Sequence, residues 1–182
     1  MNIDELTALL REHNIPIARW GLGLKKTLGD LLQEISDGET TVRYENCVLT
    51  RCLSIVGINV FHNDSDRGEL KLVEKMQILA SGRSLIRNLD TSLGEKMRSG
   101  ENPCECVRRA ILEELGLIGL ILFHQDTVYS MKSSDSYPGL RTMYEKHLFY
   151  CNVPHNLFHL DGYMETKLDG RRILFEWIPL AT

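Results

Sequence analysis

The apolar positions of this chain change period several times, and each change marks an element. Between Ile3 and Glu12, Ile3, Leu6, Leu9 and Leu10 recur at helical spacing and predict a short amphipathic helix. The stretch HNIPIARWGLG then reads as a loop, with Pro16 stopping the helix and Gly21 and Gly23 permitting tight turns. Lys25 to Ser36 predicts a second helix, apolar at Leu28, Leu31, Leu32 and Ile35 and ended by Asp37-Gly38. Trp20, between the two, reads as an anchor on the core or as part of a binding wall.

From Cys47 the pattern turns to strands. Cys47 to His62 is rich in Val, Ile and Leu, NDSDRGE has the composition of a turn, and Leu70 to Leu79 and Ser84 to Asn88 predict two further strands. Leu93 to Ser99 reads as a loop. Beyond it come strand regions at Ile118 to Met131 and Tyr144 to Val153, separated by the polar loop SSDSYPGLR. Tyr163 to Lys167 and Arg172 to Trp177 predict a hairpin turning at Asp169-Gly170.

One helix interrupts the strands, in the stretch GENPCECVRRAILEELGL from Gly100 to Leu117. Asn102 is the predicted N-cap, Pro103 takes the first helical position, and Glu105 completes a capping box. Gly116 is the predicted left-handed residue past the end. Val107, Ile111 and Leu115 form the apolar stripe that should pack on a sheet. Glu113 and Glu114 sit at the C-terminal end, where the helix dipole favours cations. Arg109 pairs with Glu113 at i, i+4 but cannot neutralise both. Adjacent carboxylates so placed suit a hard cation such as magnesium or manganese, or else an ordinary solvated helix end.

This stretch resembles the Nudix box, G-x5-E-x7-R-E-U-x-E-E-x-G-U with U aliphatic. Glu101, Arg109, Ile111, Glu113, Glu114, Gly116 and Leu117 fall on the pattern. Two positions depart from it. Glu95 stands where the opening Gly belongs, with Gly94 one residue early, and Ala110 stands where the family has a Glu that helps hold the metal. Position 110 lies one turn before Glu113 and Glu114, so the cluster keeps two of three carboxylates. A replacement oxygen ligand is sought at Glu95, Glu145 or Glu165, and sequence does not choose among them.

The resemblance implies an α/β fold, a Nudix-like α/β/α sandwich around a mixed sheet, over residues 46–182, with residues 1–45 as a helical extension packed on it. It implies a metal-dependent hydrolase of a nucleoside diphosphate linked to another moiety. Glu113 and Glu114 would be the magnesium or manganese ligands, and Arg109 would orient Glu101 or Glu113. Arg83 and Arg87, on the strands before the helix, are the candidate phosphate contacts. Tyr137 is a candidate to stack on a base and Arg141 to meet a phosphate, both from a loop suited to close as a lid. The competing expectation, raised by Ala110, is a catalytically reduced Nudix-fold nucleotide-binding or regulatory protein.

Composition narrows the remaining classes. The net charge of −4 and the pI near 5.9 argue against general nucleic-acid binding. No apolar run approaches a membrane span, and the acidic N-terminus is unlike a secretory signal. Five cysteines, an odd number without metal-site spacing, fit free thiols in a reducing cytoplasm. A nucleoside diphosphate-type small molecule is the expected partner, with a homodimer left open.

Overall fold

The computed structural model describes residues 1–180 and divides into two compact units. The first takes Met1–Ile55, Lys96–Glu101 and Thr127–Lys146; the second takes Val56–Glu95, Asn102–Asp126 and the chain from His147 onward. The fold is α/β, with three α-helices and a nine-stranded mixed sheet among the described residues.

In the first unit, α1 (Ile3–Glu12) and α2 (Leu28–Ser36) each begin at a reciprocal capping box, Asn2 with Glu5 and Thr27 with Asp30. The Thr27 cap makes α2 begin three residues later than its apolar pattern suggests. Strand β1 (Thr41–Glu45), which the sequence pattern does not reveal, forms an antiparallel hairpin with β2 (Val48–Asp64). Its two-residue loop, Asn46-Cys47, has both residues at positive φ, as a type I′ hairpin turn requires. Leu6, Leu10, Trp20, Leu31, Leu49, Tyr137 and Leu140 form the core of this unit. The Trp20 indole N–H donates to the Pro138 carbonyl at 2.9 Å, so Trp20 is a packing anchor and ties the Ser133–Arg141 loop down.

The second unit contains β3 (Gly68–Ile78), the two-residue β4 (Ser84–Leu85), α3 (Pro103–Leu115), β8 (Tyr163–Thr166) and β9 (Arg172–Pro179). Strands β5 (Leu93–Lys96), β6 (Leu122–Ser133) and β7 (Arg141–Asn152) begin or end in it. The strand order is β6-β7-β2-β3-β9-β8. The pairs β2/β3, β3/β9 and β8/β9 are antiparallel. Strand β7 runs beside β2 in the same direction: Ser54 meets Glu145, and further on the Val153 N–H donates to Phe61. The sheet is therefore mixed. The Leu93–Lys96 segment, expected as a loop, is a strand because it pairs with β2 and buries Leu93.

Helix α3 has the predicted ends. Asn102 and Glu105 form the capping box, Pro103 opens the helix, and Gly116 closes it at φ 69°. Val107, Ile111 and Leu115 are buried as the stripe requires. The helix packs against β8.

Candidate active site

Glu113 and Glu114 are neighbours in sequence but not in environment, because successive helical side chains diverge by about 100°. The Glu113 side chain keeps 43% of its exposure and lies 3.6 Å from the Arg109 guanidinium, which also reaches Glu95 at 3.3 Å. Arg109 thus ties the end of β5 to the last turn of α3. Glu114 turns inward and is only 8% exposed. Burial pushes its carboxyl up to about 8; Lys167 and Arg87 pull it down, while the charges of Glu165 and Glu95 push it further up. Glu114 is therefore a buried carboxylate under the opposed charges of two cations and two other carboxylates.

The surrounding cations have their own anchors. Arg87 binds Glu74 with two nitrogens, at 2.9 Å through Nε and through Nη2, and keeps 43% of its side-chain exposure. Gln77, turned with its amide oxygen toward Arg87, accepts from the same two nitrogens at 3.0 and 2.8 Å. Glu74 is buried and holds Arg87 firmly protonated. Lys167 pairs with Oε1 of Glu165. The other oxygen of that carboxylate, Oε2, is buried and has no hydrogen-bond partner among the described residues.

Ala110 is fully buried one turn before the glutamate pair and brings no oxygen. Among the described residues, no three His, Cys, Asp or Glu side chains converge as a ready metal cage. The donor chemistry nonetheless fits a hard divalent cation: every candidate ligand is a carboxylate oxygen, and one buried oxygen of Glu165 is left unsatisfied.

The other sequence candidates have different surroundings. Arg83 is exposed beside β4. Glu101, in the first unit, accepts from the Arg98 backbone N–H at 2.9 Å and orders the turn before α3. Arg141, also in the first unit, has its Nε against the Met131 sulfur. Tyr137 does not fit its expected role. It is fully buried, with its ring centre 5.0 Å from that of Trp20 and the Arg51 guanidinium 5.2 Å over its face, so no face is open to a base. Lys167 escaped sequence reasoning because it reads as a hairpin-turn lysine; only the proximity of β8 to α3 gives it a role.

No family model matches the chain, nor does any curated protein. Several solved structures are similar to it. The E. coli dihydroneopterin triphosphate pyrophosphohydrolase is 17% identical over 69% of this chain and 80% of that one, with a TM-score of 0.46. A C. elegans Ap4A hydrolase in a binary complex is 12% identical over 70% of this chain and 80% of that one, with a TM-score of 0.41. The Nudix domain of Shewanella oneidensis NrtR, complexed with ADP ribose, is 11% identical over 70% of this chain and 72% of that one, with a TM-score of 0.42.

Proposed function

We propose that the chain is a metal-dependent hydrolase of a nucleoside diphosphate linked to another moiety, a Nudix-type pyrophosphohydrolase slowed by the carboxylate missing at Ala110. One observation supports this reading: the Glu113–Glu114 pair ends a fully capped box helix, and its inner member is buried. A buried carboxylate whose charged form is disfavoured, on a helix that resembles the box, supports a ligand-binding reading. Magnesium or manganese, held by Glu113 and Glu114, supplies neutralisation of the pyrophosphate and a more acidic bound water.

The chain's own residues do the rest. Arg109 fixes Glu113 and Glu95 relative to each other. Arg87, anchored on Glu74, presents its half-exposed guanidinium beside Glu114, where a phosphate oxygen would meet it. Glu101 acts at one remove by ordering the turn that leads into α3. Arg83 and Arg141 are the further cations to test as phosphate contacts.

The test is calorimetric titration of magnesium, with and without ADP ribose, Ap4A, dihydroneopterin triphosphate and simple nucleoside diphosphate sugars. The expected result is metal-dependent binding of at least one compound followed by slow heat release from turnover. Binding with no turnover would leave the non-catalytic nucleotide-binding protein as the better description. No metal binding and no nucleotide binding would overturn both.

A further inference from the structure

The strand order ends at two edges, and they are built differently. At one end, β8 is four residues long. At the other, β6 is 12 residues long and has β7 as its one neighbour among the described residues. Every position of β6 is exposed except the half-buried Leu122 and Thr127. Successive strand side chains point to opposite faces, so exposure at consecutive positions leaves both faces of β6 open. Val128, Tyr129 and Met131 keep 41%, 68% and 45% of their surface. A long edge with unpaired backbone groups and exposed apolar side chains is a template for another strand.

The charges of β6 decide which strand. It carries one carboxylate, Asp126, and one ammonium, Lys132. They are six residues apart, about 20 Å along a strand, too far to meet within one chain. The even separation puts them on one face. When two copies pair antiparallel about a twofold axis, directly opposed residues point to the same face, so the register must centre on a single residue. Centring on Tyr129 sets Asp126 of each copy opposite Lys132 of the other, and no other symmetric register does so. The same register sets Tyr129 opposite itself, Thr127 opposite Met131 and Val128 opposite Ser130. Apolar and hydroxyl-bearing side chains then meet at the centre, and an ion pair flanks them on each side.

We propose that β6 is the interface of a twofold-symmetric homodimer, in which the β6 strands of two copies pair antiparallel about Tyr129 and their sheets join into one. The surface is self-complementary because one strand carries both partners of the ion pair. The dimer needs neither metal nor nucleotide.

The experiment is sedimentation equilibrium of the full chain over a range of concentrations at low salt. The proteins are wild type, Asp126→Lys, Lys132→Asp and the double variant Asp126→Lys/Lys132→Asp, each checked for folding by circular dichroism. Wild type should dimerise reversibly, each single reversal should weaken the dimer by about tenfold or more, and the double reversal should restore it. An equimolar mixture of the two single variants should form a heterodimer, since each supplies the charge that the other lacks. Under mild oxidation, Tyr129→Cys should give a disulfide-linked dimer that wild type, with its own five cysteines, does not. A wild type that stays monomeric at every concentration overturns the proposal. A dimer unmoved by the single reversals, or weakened by both and not restored by the double reversal, overturns this interface. If a reversal variant does not fold, the Tyr129→Cys cross-link decides, and its absence contradicts the register.

Discussion

Glu34 on α2 and Glu114 on α3 are buried to 5% and 8% exposure, and their carboxyls move in opposite directions. Burial pushes both up. At Glu34 that push is outweighed by hydrogen bonds from Lys26 and Lys96 and by the charges of Arg51 and Lys96, which bring the carboxyl down to about 2. Arg51 lies 2.6 Å and Lys96 2.7 Å from it. At Glu114 the neighbours include Glu165 and Glu95, and the carboxyl stands near 8. The first glutamate is completed by its own unit and serves the fold. At the second, the charges of Lys167 and Arg87 do not offset burial and the neighbouring carboxylates.

The largest expected effect breaks the first half of this contrast. Glu34→Ala strands Lys26, Arg51 and Lys96 around an empty place and should cost about 3–5 kcal/mol in denaturant unfolding. A loss under about 1 kcal/mol would mean that the cage is surface-like in energy. Acid titration of stability sharpens the same point. The folded carboxyl of Glu34, at about 2, lies below its ordinary value of 4.5. Its stabilisation is thus complete above about pH 4.5 and lost as pH falls toward 2, amounting to about 3 kcal/mol. Glu34→Gln should remove that part of the acid transition.

Glu114→Gln tests the other half. The fold should change by less than about 1 kcal/mol in metal-free buffer, since no cation cage is broken. Turnover of the best substrate should fall by about a hundredfold or more, equivalent to about 2.7 kcal/mol of barrier. A large loss of stability would place Glu114 with Glu34 as a structural residue. The smallest effect is expected from Arg87→Lys: a point charge replaces a two-pronged contact to Glu74, and binding of a pyrophosphate compound should weaken by several-fold without loss of metal binding.

The contrast also explains what was legible in the sequence. Helix α3 was, because its caps and stripe are local signals within 15 residues, Asn102 to Gly116. The mixed α/β architecture followed from the box resemblance and the strand runs. The Glu34 cage was not legible: its cations come from positions 26, 51 and 96, which only the tertiary fold brings together. Strand β5 was hidden because four residues containing a glycine carry no period, and pairing with β2 makes them a strand. Tyr137 misled because a lone aromatic in a polar loop reads equally as a ligand contact or an anchor, and Trp20, 117 positions away, makes it an anchor. Of the candidate site, the i, i+4 pairing of Arg109 with Glu113 was legible from spacing.

We propose that the Glu113–Glu114 end of α3 is a cation site one carboxylate short of the box it resembles. Magnesium titration of Ala110→Glu tests it most directly, because the change adds the missing oxygen at a buried position one turn before Glu113 and Glu114. Tighter binding than wild type and a faster hydrolytic rate are expected. Unchanged affinity in Ala110→Glu, together with no effect of Glu113→Gln/Glu114→Gln on metal binding, would contradict it.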